Sequence, residues 1–213
     1  MFTGLIEACV PLRRAEPRGT GLRLTIAAPP SPWELRPGAS IAVSGACLTL
    51  AGGADPATGA PVPAAAPGAD LVFDLSSETL ARTWFGRARP GRRLNLERAM
   101  LLSDRLDGHL VAGHVDGLGR VVEVADTGDG GRRIRFEVEP RLAVYLVDKG
   151  SVTLDGISLT VVEPVGARFD VAVIPKTLEW TSLGSAQAGD EVHVEGDLVG
   201  KWVLRGLEAR LGA

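Results

Sequence analysis

The sequence predicts an all-β protein, two tandem copies of one β unit followed by a single α-helix. Three observations predict this: short strand-like runs punctuated by turn residues, a repeat of the chain within itself, and one stretch of helical periodicity near the end. Leu22–Ile26, Ser40–Val43, Leu71–Leu75, Arg92–Leu96, Val121–Val124, Arg133–Val138, Val152–Leu154, Leu159–Val162 and Glu191–Glu195 read as strands. Each is a short apolar or alternating run bounded by turn formers. Over Asp197–Leu211 the period changes. Leu198, Val199, Trp202, Val203, Leu207 and Leu211 recur at helical spacing, and Lys201, Arg205, Glu208 and Arg210 fall elsewhere on the wheel. Asp197 stands where an N-cap or first-turn carboxylate favours a helix. Gly200 and Gly206 weaken that helix by about 1 kcal/mol each relative to alanine. Ala51–Ala69 fits neither pattern. It is nearly all Ala, Gly and Pro with only Asp55 charged, and it reads as an excursion between strands with no packing role.

Composition narrows the function. A chain of 213 residues holds one large domain or two small ones, and 45% apolar residues supply a core. The net charge of −3 and 5% aromatics argue against a nucleic-acid-binding barrel, which needs basic, aromatic-rich faces. No apolar run approaches the ~20 residues of a membrane span. The opening Met1-Phe2-Thr3-Gly4 lacks the basic and apolar regions of a signal peptide. Cys9 and Cys47 form no disulfide framework, so a reducing cytoplasm is the expected compartment. His109 and His114 fall on opposite faces of a strand, and no metal site is expected of them.

The repeat carries most of the information. Val43-Ser44-Gly45-Ala46-Cys47-Leu48-Thr49-Leu50 aligns with Leu154-Asp155-Gly156-Ile157-Ser158-Leu159-Thr160-Val161. Gly4-Leu5-Ile6-Glu7 aligns with Gly113-His114-Val115-Asp116, and Phe73-Asp74 with Phe169-Asp170. Glu78-Thr79-Leu80 aligns with Lys176-Thr177-Leu178, and Leu94-Asn95-Leu96-Glu97 with Val192-His193-Val194-Glu195. Matches in one order mean two copies of a unit of roughly 85–110 residues. The join falls near Leu106–His109. Because alternate strand residues share a face, Cys47 and Thr49 point one way, as do Ser158 and Thr160. Each copy thus offers two small polar side chains just after a glycine turn, which fits two equivalent ligands. Spacing alone equally fits ordinary β-branched strand residues with Cys47 as an apolar filler.

These residues resemble the riboflavin synthase family. The resemblance is carried by Met1–Glu7, Gly45–Thr49, Gly108–Gly117, Leu154–Val161 and Ile174–Leu178, and it spans nearly the whole chain outside Ala51–Ala69. It implies two tandem homologous Greek-key β-barrels, residues 1–109 and 110–196, each binding one lumazine, with residues 197–213 as a trimerisation helix. The implied reaction is a dismutation: one 6,7-dimethyl-8-ribityllumazine donates a four-carbon unit to another, without metal or bound cofactor. The resemblance assigns Gly4, Leu5, Ile6, Ser40, Cys47, Leu48, Thr49, Asp74, Leu75, Ser76, Ser77, Glu78 and Thr79 to the first slot. It assigns Gly113, His114, Val115, Lys149, Ser158, Leu159, Thr160, Ile174, Pro175, Lys176 and Thr177 to the second. Phe2 is expected near the rings. Cys47, Ser158, His114, Asp155, Thr160 and Asp197 are the expected catalytic set, with His114 aiding proton transfer. Lumazine synthase is a candidate partner. The chain departs from the family pattern at Ser44, Ala112, Trp84, Trp180 and His193, the last read as structural. The rival reading is a non-catalytic lumazine or flavin carrier on the same duplicated fold.

Overall fold

The computed structural model describes residues 1–64 and 66–211. Ala65, in the predicted excursion, and Gly212 and Ala213, in the predicted tail, lie outside the described residues, as does the Leu211 side chain. The first half contains β1 (Ala8–Arg18), β2 (Gly21–Ile26), β3 (Ser40–Val43), β4 (Ala46–Ala54), β5 (Pro61–Val62), β6 (Asp70–Leu75), α1 (Ser77–Arg82), a 3-10 turn at Trp84–Arg87, and β7 (Arg93–Arg98). The second half contains β8 (Gly117–Asp126), β9 (Arg132–Val138), a 3-10 turn at Pro140–Tyr145, β10 (Ser151–Leu154), β11 (Ile157–Thr160), β12 (Val162–Val165) and β13 (Arg168–Val173). It ends with α2 (Pro175–Trp180), a 3-10 turn at Ser182–Ser185 and β14 (Glu191–Gly196), and α3 (Leu198–Leu211) follows.

The strands run in the order β3-β7-β1-β2-β6-β4, and a β3–β4 pairing closes the ring. The second half repeats this as β10-β14-β8-β9-β13-β12, with β11 paired to β10. The repeat extends to irregularities. Register shifts occur between Leu12 and Arg14 in one half and between Val121 and Glu123 in the other, at matching positions. Each half has its own core. In β9, Ile134, Phe136 and Val138 are buried, while Arg133 and Arg135 point outward to Asp170 at 2.6 and 2.8 Å. Phe73 and Phe136 are fully buried. Burying a side chain of that size stabilises by about 1.5–3 kcal/mol, far more than an exposed ion pair.

The structure corrects the sequence reading in three places. First, β1 and β13 are strands absent from the expected set, and α1 and α2 are helices. Pro11 and Pro17 interrupt the apolar pattern of β1, yet its remaining residues still pair along β2 and β7. Second, Ala51–Ala69 is not a bare excursion. Ala51–Ala54 continues β4, Gly53 and Ala54 pair with Val62 and Pro61, and Ala64 and Ala69 are buried. Third, the Phe73-Asp74 match is displaced. β6 and β13 end at Leu75 and Val173, so Leu71 corresponds to Phe169 and Phe73 to Val171. A slip of two residues leaves each side chain on the same face, which hides it from a periodicity argument.

α3 forms as expected. The Asp197 carboxylate accepts the Val199 N–H at 2.8 Å, and Lys201 bonds Asp116 at 2.6 Å. Among the described residues its apolar stripe finds little cover: Val199, Trp202, Val203 and Leu207 are all more than half exposed.

Candidate functional site

The site is built where the two halves meet. Phe2 and Val111 exchange backbone hydrogen bonds, drawing the segments that lead into each half together. Each lead segment then crosses to the other half. The Ser158 N–H donates to the Gly4 carbonyl at 2.8 Å, and the Cys47 N–H donates to the Gly113 carbonyl at 2.8 Å. Ile6 packs on the second core, and Val115 and Leu118 pack on the first. This corrects the expected grouping: Gly4–Ile6 belongs with Ser158, and Gly113–Val115, with His114, belongs with Cys47. Gly4 and Gly113 both sit at φ +80, and a Cβ on either would fall 2.6 Å from the Cβ of Ser158 or Cys47. Only glycine permits that approach.

Buried glutamates hold both lead segments. Glu97 accepts the N–H groups of Thr3 and Gly4 at 2.6 and 3.0 Å and the Thr3 hydroxyl at 2.7 Å. Glu195 accepts the N–H groups of Ala112 and Gly113 at 2.8 and 3.0 Å. Ala112 has no hydroxyl, so Glu195 has one donor fewer than its counterpart. Burial raises both carboxyls, and Glu195 is pushed up to about 7. The repeat had paired these glutamates, but pairing alone assigned them no role.

Polar exchange locks the halves together. Ser44-Gly45 and Asp155-Gly156 are hairpin turns with positive φ at both residues, and their glycines abut. Asn95 donates to the Asp155 carbonyl at 2.9 Å and accepts the Ser182 N–H at 2.8 Å. His193, its counterpart, donates to the Ser44 carbonyl at 2.7 Å and accepts the Trp84 N–H at 3.1 Å. The imidazole therefore reproduces both bonds of the amide. It must be neutral to do so, and burial pushes it down to about 3. Its ring stacks on Trp84 at 4.6 Å. Asp155 also faces this interface: its carboxylate accepts the Trp84 indole N–H at 3.1 Å and the His193 backbone N–H at 2.8 Å. Burial raises that carboxyl to about 6.

The slot faces differ. Beside Cys47 lie Ala42, its cross-strand partner, and Phe2, packed in one small apolar cluster with Val111. Beside Ser158 lies Thr153, its cross-strand partner, and His109 bridges the two, with Nδ1 2.7 Å from Ser158 Oγ and Nε2 3.1 Å from Thr153 Oγ1. Gly38 at φ +86 precedes β3, whereas Lys149 at φ +63 holds the matching place before β10. Their N–H groups make matching bonds to Leu50 and Val161, both at 2.9 Å.

The other expected residues spread around these faces. Ser40 pairs with Thr49 across β3 and β4; Thr49, Thr160, Leu5, His114 and Lys149 are exposed, while Leu48 is buried and Leu159 half-buried. Asp74 is ion-paired with Arg18 and Arg23 at 2.6 and 2.8 Å. Leu75 is buried, Ser76 caps α1 by accepting the Thr79 N–H, exposed Ser77 opens that helix, and Glu78 bonds Arg82. Ile174 and Pro175 begin α2, the Thr177 carbonyl accepts the Thr181 hydroxyl, and Lys176 lies over the exposed Trp180 ring at 4.1 Å. Asp197 is the helix cap described above. Among the described residues no three His, Cys, Asp or Glu side chains form a metal-binding group. No described helix is long and apolar enough to cross a membrane.

The sequence matches the lumazine binding domain family twice, over residues 3–99 and 112–197. A protein named riboflavin synthase from Mycobacterium tuberculosis (strain ATCC 25618 / H37Rv) is 41% identical over 209 residues, 96% of this chain and 97% of that one. Riboflavin synthase from Actinobacillus pleuropneumoniae is 37% identical over 203 residues, 95% of this chain and 88% of that one. Among solved structures, LumP complexed with riboflavin matches at a TM-score of 0.80 and 18% identity, covering 92% of this chain and 99% of that one. LumP complexed with 6,7-dimethyl-8-(1'-D-ribityl) lumazine matches at 0.76 and 18%, covering 92% and 98%. The chain belongs to the riboflavin synthase family, as a protein of two lumazine binding domains.

Proposed function

We propose that this chain is a riboflavin synthase, a transferase of the cytoplasm that converts two molecules of 6,7-dimethyl-8-ribityllumazine into riboflavin and 5-amino-6-(D-ribitylamino)uracil. The observation that carries the reading is the duplicated site, in which Cys47 and Ser158 both remain, each lying against the lead segment of the other half. Two slots suit a reaction that consumes two identical molecules. The chemistry needs no metal or bound cofactor. The methyl at lumazine carbon 7 is acidic because its anion delocalises into the ring. The protein has to hold two rings together, move protons and activate the acceptor ring. Orientation contributes several kcal/mol, and proton transfer a factor of about 100–10,000.

In this reading Ser40, Cys47, Thr49 and Gly113–Val115 line the first slot. Lys149, Ser158, Thr160 and Gly4–Ile6 line the second. The slots combine between chains, the first half of one facing the second half of its neighbour. The exposed stripe of α3 supports a homotrimer, because an isolated helix this short needs partners to cover it. Lumazine synthase is a further candidate partner.

A second reading, a ligand carrier, has the LumP fold in its favour. One experiment separates the two. Purified protein incubated with the lumazine alone, with a chelator present, is expected to release riboflavin and the pyrimidine in equal amounts. A protein that binds the lumazine and leaves it unchanged is a carrier.

A further inference from the structure

We propose that Lys201 is a positioning residue for the first slot: from α3 it supplies the cation that holds the lead segment Ala112–Asp116 against Cys47. The inference rests on the two-slot reading above and adds a second task for the helix that this reading gives to assembly.

The lead segment is anchored to β14 at both ends. At one end Glu195 accepts the N–H groups of Ala112 and Gly113. At the other the Asp116 N–H donates to the Val194 carbonyl at 2.9 Å, and the Asp116 carboxylate accepts the Gly196 N–H at 2.8 Å. Between the anchors lie the Gly113 carbonyl, which accepts the Cys47 N–H, and Val115, which packs on the first core. Lys201 Nζ stands 2.6 Å from the same Asp116 oxygen that takes the Gly196 N–H, with only 21% and 22% of the two side chains exposed.

The charges around the anchors call for that cation. Burial pushes the Glu195 carboxyl up, Lys201 pulls it down, and Asp116 pushes it up again. Arg141 bonds the Asp116 carbonyl at 2.7 Å, and its guanidinium is paired with Glu139. Among the described residues Lys201 is therefore the one cation bonded to the Asp116 carboxylate. Without it two neighbouring carboxylates are left uncompensated, and like charges at close range favour a proton or a displacement on one of them.

The first half meets the same need within its own strand. Glu7 corresponds to Asp116, and Arg98 to Gly196. Arg98 in β7 donates its backbone N–H to Glu7 at 2.7 Å and its guanidinium to Glu7 at 2.9 and 2.6 Å. One residue thus gives both the backbone donor and the cation. In the second half a Cβ on Gly196 would fall 2.8 Å from the Tyr145 ring, which excludes a side chain there. The backbone donor stays in β14 and the cation comes from α3. An isolated helix of this length is marginal in water, so the order of the first slot depends on cover for the α3 stripe.

The test is lumazine titration of the full chain. Lys201→Met keeps an unbranched side chain and removes its charge. The binding step lost in Cys47→Ala is expected to weaken on the order of tenfold, and the step lost in Ser158→Ala to stay within about twofold. In turnover the change should fall on KM, with kcat within about threefold of wild type. Lys201→Arg, which keeps the charge, should recover most of the loss. Asp116→Asn keeps an acceptor for the Gly196 N–H, should weaken the same step, and gives a second cycle: on that background Lys201→Met costs less than about twofold. It also serves if Lys201→Met loses the wild-type assembly in light scattering. Unchanged steps in both Lys201→Met and Asp116→Asn overturn the proposal, as do equal weakening of the two steps and an arginine variant as weak as the methionine one. Wild-type protein that takes up no lumazine removes the two-slot reading and this inference with it. Two wild-type steps with both variants unchanged remove only the inference.

Discussion

The two halves share a backbone and differ in chemistry. Both close with the same strand order, carry a register shift at the same place, turn on a positive-φ residue followed by glycine, and hold a crossing lead segment with a buried glutamate. Around the slot residue the resemblance stops. Cys47 sits with Ala42 and Phe2, and Ser158 with Thr153 and His109. What repeats is the hydrogen bonding that positions main chain, since an unpaired buried N–H or carbonyl is costly whatever the ligand does. Side chains facing a ligand carry no such penalty for change. The difference teaches that a duplicated fold with two slots need not be a duplicated active site.

The crossing of the lead segments is the feature most open to attack. Gly113→Ala places a Cβ against Cys47 in the first half, and Gly4→Ala places one against Ser158 in the second. We expect each to lower turnover on the order of 100-fold, the scale of an ångström misplacement at a reacting centre. In lumazine titrations Gly113→Ala should lose the same binding step as Cys47→Ala, and Gly4→Ala the same step as Ser158→Ala. The opposite pairing would mean that each lead segment serves its own half.

The locks between the halves come next. Asn95→Ala removes the bonds to Asp155 and Ser182 and leaves buried groups unpaired, a loss of about 2–3 kcal/mol by denaturant unfolding. His193→Asn restores the first half's residue at the matching position and keeps both bonds. It loses the stack on Trp84 and should cost about 1 kcal/mol. A larger loss from His193→Asn than from Asn95→Ala would mean that the stack, not the exchanged bonds, joins the halves.

The glutamates sharpen the comparison through pH. Glu195 in the folded chain keeps its proton up to about pH 7, while in the unfolded chain it releases it near 4.5. Between these values the unfolded state binds fewer protons, so stability falls as pH rises, by roughly 3 kcal/mol across the window. Glu195→Gln should remove that part of the slope when unfolding is measured from pH 5 to 8. His193, neutral when folded and chargeable when unfolded, acts in the opposite sense between about 3 and 6.5 and remains in both proteins. Ala112→Ser, which gives Glu195 the hydroxyl donor that Thr3 gives Glu97, should add about 1 kcal/mol at pH 8 and flatten the slope in part. No change from Ala112→Ser would show that the missing donor is not why Glu195 is raised so far.

The smallest effect belongs to the tip of the β4–β5 connection. Asp55 accepts the N–H groups of Ala57 and Thr58 at 3.1 and 2.7 Å, a self-contained turn. Replacing Asp55–Ala60 by a short glycine turn should cost less than about 1 kcal/mol. Deleting residues 51–69 removes the end of β4 with the buried Ala64 and Ala69, and should cost several times more.

Much of the fold was legible because burial follows period. The alternation in β2 and β9 and the helical spacing of α3 are consequences of which side chains leave water. β1 escaped because its prolines interrupt the pattern while its outward charges raise no alarm. The equivalence of Cys47 with Ser158 and of Thr49 with Thr160 was legible through the repeat, and the matching hairpins reproduce it. His109 was not, because it stands outside the repeat, and its bond to Ser158 depends on two strands and a linker meeting in space. The crossing of Gly4 and Gly113 was hidden for the same reason: equivalence in sequence shows which residues correspond, not which half they lie against.

The account rests most on the claim that one productive site needs one slot of each kind, supplied by two chains. Cys47→Ala and Ser158→Ala, each badly impaired alone, can be unfolded together and refolded so that chains mix. Some interfaces then join an intact first half from the Ser158→Ala chain to an intact second half from the Cys47→Ala chain. The account predicts that turnover of the lumazine returns to a sizeable fraction of wild type in the mixture. Mixed assemblies confirmed by mass spectrometry that recover no activity would contradict it, since every site would then lie within a single chain and keep its lesion.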